Sequence, residues 1–483
     1  MSVHSFHTFL FPFRWKVANL VNRPFSEQIN LNSIHYCQSP NWERVGIPPS
    51  SEKESDDLYN ERNYFYEFVH PSLYDDNSDT SLIRHYERRE PKRSESIAYR
   101  IVCGEKKDIY DLEVQAINLN LYSSGVGVLS FYLYNTRYPK PEDVLAINQY
   151  GRRVFPPFIG DVKSRIELAH CIEIKGLNGV YSEDFSHYTN NVKSNTPANF
   201  ILKMVHEVAD NIEMQPVVDD RMFVLCWYKN DDLTLEFETD YDNFIENNKD
   251  WYKFVFVDKF EGLSCQNDRM RRDIIKKATY ERWQKNCSLY GVSRYSMVFL
   301  TNSGTDIFAP FLFPYFETEY ARMAELVLMQ RATVLRFSSE VTNISKLAGG
   351  KGFGERVSSL YREYIRFENQ MYFREISAQD QGIEMYQKLY DAMGLKEQVE
   401  KLDDEIEELY NYVTLREDRR TNRTMSLLTW ITTIFLPVTV VAGYFSMNDF
   451  GTNTKFLFQS VSIIVFAILV ISIVLIINKK KIK

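Results

Sequence analysis

Seven residues near the C-terminus combine polar oxygens with apolar side chains at a regular spacing: Asn422, Met425, Leu428, Thr432, Leu436, Thr439 and Gly443. Steps of three and four place them on one stripe of a helix. Such a stripe has two readings. Hydroxyl, amide and small residues alternating with apolar rings can line a water-filled path. The same residue types can also form a helix-packing face inside a bilayer. Spacing alone leaves both open.

Bond-breaking chemistry finds no comparable constellation. The eight histidines form no HExxH or triad-like pattern and no GxSxG elbow occurs, so an enzyme is not expected. GGKGFG at Gly349–Gly354 lacks the GK[ST] ending of a phosphate loop and follows a helical pattern, which reads as an interhelical turn. Acidic groups at Asp56 and Asp57, Asp75 and Asp76, Asp219 and Asp220, Asp231 and Asp232, and Asp403 to Glu408 offer oxygen ligands for regulatory cations, although each is more simply a solvated face.

The stripe needs a helix in an apolar setting. Met425 to Phe445 carries no charge, and at 1.5 Å per residue it covers about 31 Å, enough for a first transmembrane helix over about 425–445. A second uncharged stretch, about 456–478, is rich in Ile, Val, Leu and Phe and reads as a second. Arg416, Arg419, Arg420 and Arg423 precede the first stretch, and Lys479, Lys480, Lys481 and Lys483 follow the second. That bias predicts a plasma or inner membrane protein with both termini in the cytoplasm.

Upstream, no proline occurs between Ser377 and Pro437, which predicts one helix from Ser377 to about Ser446, roughly 100 Å long. Within it Leu395, Val399, Leu402, Ile406, Leu409 and Val413 form a heptad seam, suited to a coiled coil or to packing within one chain. Phe316–Ser345 and Glu355–Glu375 read as further helices. Residues 96–310 read as an α/β domain, with a hairpin of Leu112–Tyr122 and Val126–Tyr134 across Ser123, Ser124 and Gly125. Met222–Tyr228, Tyr252–Val257 and Ser296–Leu300 read as strands, and Asn199–Met214 as a helix. Residues 1–95 read as a partly irregular extension, 311–424 as a helical stalk and 425–483 as a membrane domain.

Composition agrees with a large cytoplasmic part. The net charge of -8 and the dispersed acidic residues argue against a nucleic-acid partner. Six scattered cysteines without a CxxC pair read as reduced thiols. Phe9–Phe13, interrupted by Pro12 and followed by Arg14, is too short for an export signal.

The run Leu428–Asn448, LTWITTIFLPVTVVAGYFSMN, resembles the first membrane helix of the CorA metal-ion transporter family, whose pattern ends in Gly-Met-Asn. Tyr361–Leu389, YREYIRFENQMYFREISAQDQGIEMYQKL, is similar to the family's helical region, so the resemblance covers about the last 120 residues. It departs at Ser446, where the family has glycine, and serine's β-carbon disfavours a positive φ. The resemblance implies a funnel-shaped homopentamer with a central pore lined by the stripe, and Ser446, Met447 and Asn448 at its mouth. It implies passage of hydrated Mg²⁺, or of Zn²⁺, Co²⁺ or Ni²⁺, because neutral oxygens such as that of Asn448 can contact a hydration shell that Mg²⁺ gives up reluctantly. No cofactor is expected beyond a divalent cation, Mg²⁺ foremost, as cargo and as the candidate regulator at the acidic groups. The alternative is a membrane-anchored sensor or scaffold of the same fold that no longer conducts.

Overall fold

The computed structural model describes residues 3–20, 23–47, 56–89, 96–103, 108–154, 168–185, 197–219, 221–259, 263–348, 350, 352–447, 461–462 and 466. The chain divides into two compact units, residues 1–407 and 408–483.

The first unit is an α/β structure built on one large mixed sheet. Its strands are β1 (Ser5–Val17), β2 (Trp42–Arg44), β3 (Ile83–Arg88), β4 (Ala98–Cys103), β5 (Asp108–Tyr122), β6 (Val126–Asn135), β7 (Cys171–Lys175), β8 (Ser182–Asp184), β9 (Ile212–Pro216), β10 (Phe223–Lys229), β11 (Thr279–Tyr280), β12 (Leu289–Val292) and β13 (Ser296–Thr301). They run β11-β12-β13-β10-β1-β6-β5-β4-β7-β8, with β3 also on β5, β2 on β3 and β9 on β1. β10 and β13 are parallel, and the other pairs are antiparallel.

The expected hairpin is present, with Tyr122 and Val126 joined through Gly125 at φ +77°. Residues read as an N-terminal extension supply the central strand instead. β1 is buried without a break from Ser5 to Phe13, because it has neighbours on both edges and cover on both faces. Pro12 is tolerated there for a specific reason. The Trp15 amide donates to the Gly125 carbonyl on the β6 side, so the two-residue period turns Pro12 nitrogen to the opposite edge. On that edge pairing with β10 ends at Leu10 and pairing with β9 begins only at Phe13, so no ladder bond is lost.

Tyr252–Val257 is not a strand. Asn248 caps a helix over Lys249–Phe256 by accepting from the Trp251 amide at 2.8 Å, and the apolar run WYKFVF buries Trp251, Tyr252, Phe254 and Val255 at helical spacing. The helix expected to reach Met214 stops at His206, and Met214 lies in β9.

Ala321–Ser345 is a mostly buried helix packed on β1 and β6, after a π turn at Phe316–Tyr320. Its buried polar groups are tied to the sheet. Arg336 donates to the Trp15 carbonyl at 2.7 Å and to that of Gly125, and Glu325 accepts from Tyr122 at 2.8 Å and from Asn120. Phe353–Gln370 follows across the glycine-rich turn, where Gly352 takes φ +78°.

The single helix expected from Ser377 is two. Asp380–Met393 ends at Gly394, which takes φ +64° and donates its amide to the Asp391 and Tyr390 carbonyls. Leu395–Met447 then begins anew. A glycine in the left-handed region ends a helix as firmly as a proline does. Leu395, Val399, Leu402 and Ile406 are buried within the first unit of one chain, so intramolecular packing accounts for these four seam positions.

The expectation of two C-terminal transmembrane helices is corrected. Among the described residues no helix is long and apolar enough to cross a membrane. The second stretch, 456–478, lies outside the described residues except for 461, 462 and 466.

Candidate functional site

The stripe lies on the part of the Leu395–Met447 helix that belongs to the second unit. At 100° per residue its seven members fall within an arc of roughly 120°. Asn422, Met425, Leu428, Thr432, Leu436, Thr439 and Gly443 are all exposed. Leu428 keeps 53% of its surface and Leu436 keeps 60%. A β-carbon built at Gly443 meets nothing within 4 Å, so contacts inside this chain do not require glycine there. Ser446 and Met447 lie in the last helical turn by backbone, and Asn448 lies outside the described residues.

The threonine hydroxyls have a definite polarity. Thr429 Oγ1 donates to the Met425 carbonyl at 2.8 Å, Thr432 to Leu428 at 2.8 Å and Thr433 to Thr429 at 2.7 Å. Thr439 Oγ1 is 2.9 Å from the carbonyls of both Phe435 and Leu436. With the hydroxyl hydrogen turned back on the helix, each oxygen presents only acceptor lone pairs outward. Pro437 has no N–H for the Thr433 carbonyl, which adds an acceptor one turn below. Water bound to a divalent cation is a strong hydrogen-bond donor, so an acceptor-only surface between Thr432 and Thr439 is chemically matched to it.

The apolar residues flanking the stripe escaped the sequence reading as a feature in their own right. Leu427, Ile431, Ile434, Phe435 and Val440 are also exposed, which gives the helix apolar surface on more than one face. The uncharged composition was the signal available for them.

The acidic groups divide by geometry. Asp75 is fully buried and takes Arg44 in a bidentate pair at 2.7 and 2.7 Å, while Asp76 caps the Ser78 amide at 2.9 Å. Asp219 pairs with Arg221 at 2.7 Å, and Asp231 accepts from the Ser303 amide at 2.7 Å and its hydroxyl at 2.9 Å. These carboxylates are occupied by the fold. Asp220 and the side chains of Asp56 and Asp57 lie outside the description. Asp403 faces the Phe353–Gln370 helix, where burial and then the Asp403 charge push the Glu368 carboxyl up. Among the described residues the group able to offer three metal-ligand atoms is elsewhere, at His35, Cys37 and Asp210.

Residues 358–480 match the family described as CorA-like Mg2+ transporter protein. No curated protein matches the chain. The match contains the whole stripe, the threonine acceptors and the tripeptide Ser446–Asn448. The C-terminal part of the chain, residues 358–480, therefore carries a CorA-like Mg²⁺ transporter domain.

Proposed function

We propose that the chain is one subunit of a divalent-cation channel in a cell membrane, and that several copies bring the Asn422–Gly443 stripe around a common cation path. The observation that carries this reading is the exposed, acceptor-bearing stripe inside the matched residues 358–480. Met425, Leu428 and Leu436 form apolar constrictions that exclude water when the path is closed. Thr432, between Leu428 and Leu436, and Thr439, about one turn beyond Leu436, accept hydrogen bonds from the hydration shell.

Exposed apolar surface favours assembly. Leu427, Leu428, Phe435, Leu436 and Val440 each keep more than half of their surface. Covering them with lipid or neighbouring copies stabilises the assembly by on the order of 5 kcal/mol per chain, taking about half of a full side-chain burial for each. A closed ring of identical subunits, five on the family's pattern, is the arrangement that directs one stripe of every copy inward. Asn448 and the Ser446 backbone stand at the mouth, where an amide oxygen selects a hydrated ion over a bare one, and Mg²⁺ is the preferred cargo.

The test is flux of Mg²⁺, Zn²⁺, Co²⁺ and Ni²⁺ into liposomes holding the purified full chain. Cation-dependent uptake that rises in Leu428→Ser supports the channel. Uptake no greater than in empty liposomes, by a properly assembled oligomer, favours a non-conducting sensor instead.

A further inference from the structure

The trio His35, Cys37 and Asp210 lies in the first unit, and the stripe lies in the second. His35 and Cys37 stand two residues apart on an extended segment, so their side chains leave the same face of the backbone. Asp210 is supplied by the turn that follows the Asn199–His206 helix. Four interactions clamp the two segments together. The His35 amide donates to Asn211 Oδ1 at 2.8 Å, the Cys37 amide to the Val208 carbonyl at 2.9 Å, and Asn211 Nδ2 to the Ser33 carbonyl at 3.1 Å. Tyr36 forms a β-bridge with Ala209 between the two.

One ligand atom from each residue lies within 4.8 Å of the others, and His35 Nδ1 is 2.8 Å from Asp210 Oδ1. A tetrahedral zinc ion, about 2.0–2.3 Å from each ligand, spaces its ligands roughly 3.3–3.8 Å apart. The trio therefore reaches zinc geometry by small side-chain rotations on a backbone that is already pinned. His35 and Asp210 are exposed and Cys37 is half-buried, which leaves the fourth position open to water.

We infer that His35, Cys37 and Asp210 form a binding site for Zn²⁺ or a similar borderline divalent cation, separate from the cation path. Imidazole nitrogen, thiolate sulfur and a carboxylate make a set that zinc favours and Mg²⁺ does not, since Mg²⁺ selects oxygen ligands in an octahedron. Binding releases the thiol proton of Cys37 to solvent, and His35 frees Nδ1 for the metal by carrying its ring proton on Nε2. The occupied site would cross-link the 33–37 segment to the 206–211 turn and so couple the outer part of the sheet to the prevailing zinc level.

The sequence hid this site. His-Tyr-Cys is a short signal without the CxxC partner that zinc motifs carry, and Asp210 is 175 residues from His35.

The test uses the full chain under reducing conditions, with Zn²⁺ alone in calorimetry and Co²⁺ as a spectroscopic stand-in. The parent should bind one Zn²⁺ per chain that Mg²⁺ fails to displace, and Co²⁺ should give a thiolate charge-transfer band with tetrahedral d–d transitions. Cys37→Ser should abolish that band, and His35→Ala should weaken binding by at least about tenfold, the loss that removal of even an outer-shell partner brings. Both substitutions are at accessible positions, so unchanged melting in metal-free buffer is expected and checks the fold. Equal Zn²⁺ binding by parent and both variants overturns the inference, as does an octahedral Co²⁺ spectrum without the thiolate band. Neither outcome depends on transport.

Discussion

Replacement of Asp75 by alanine distinguishes a structural carboxylate from a regulatory cation ligand at the most buried of the acidic pairs. Its carboxylate is fully buried, takes Arg44 Nε and a terminal nitrogen at 2.7 Å each, and accepts from the His85 amide at 3.1 Å and the Asn77 amide at 2.9 Å. The two hydrogen bonds to Asp75 hold the Arg44 guanidinium pKa above its ordinary value. Removing one member of a buried pair costs about 3–5 kcal/mol, because the other charge stays behind. Arg44 keeps 27% of its side-chain surface and is partly rehydrated, which places Asp75→Ala at about 3 kcal/mol, near the low end of that range. For a unit of 407 residues unfolding together, an entropy of roughly 0.85 kcal/mol/K converts this to a fall of about 3–4 °C in melting temperature. Scanning calorimetry with and without Mg²⁺ is the assay. The same fall in both buffers is expected, and Arg44→Ala/Asp75→Ala should recover part of it. Unchanged melting in metal-free buffer, with loss of an Mg²⁺-induced stabilisation, would refute the reasoning and make Asp75 a cation ligand.

Three further outcomes follow from the geometry. On the proposed channel reading, Leu428→Ser should raise basal cation leak in liposomes several-fold; unchanged leak removes Leu428 from the proposed path. Gly394→Ala forces a β-carbon into φ +64° and should cost about 1–2 kcal/mol, seen as a lower melting temperature without loss of helix content by circular dichroism. His7 is fully buried between Ser5 at 2.8 Å and Asn148 at 2.7 Å, and burial pulls its pKa from 6.5 down to about 4. The unfolded chain therefore binds the extra proton between those values, so stability present above pH 6.5 is lost as pH falls towards 4, by roughly 3 kcal/mol. His7→Gln should flatten that window in pH-dependent denaturant melts, and an unaltered profile would remove His7 as its source.

Legibility in the sequence followed the range of the forces involved. The β5–β6 hairpin was readable because much of β5 alternates and the turn is only Ser123, Ser124 and Gly125. β1 was not, because a strand covered on both faces has no alternation, and Pro12 reads as a breaker until its neighbours are known. Gly394 was overlooked beside the search for proline, although its helix-ending role is local. The stripe from Asn422 to Gly443 was found by period alone, and the structure adds that its hydroxyl hydrogens are consumed by the helix. The zinc trio needed a tertiary contact that period and motif do not carry.

The central claim is most directly tested by comparing cation uptake of the parent and Asn448→Ala in liposomes at matched oligomer size. The account predicts saturable, Mg²⁺-preferring uptake by the parent and its loss in Asn448→Ala with the assembly intact. Equal uptake by both proteins would contradict the mouth assignment, and no uptake by an intact parent assembly would contradict the channel itself.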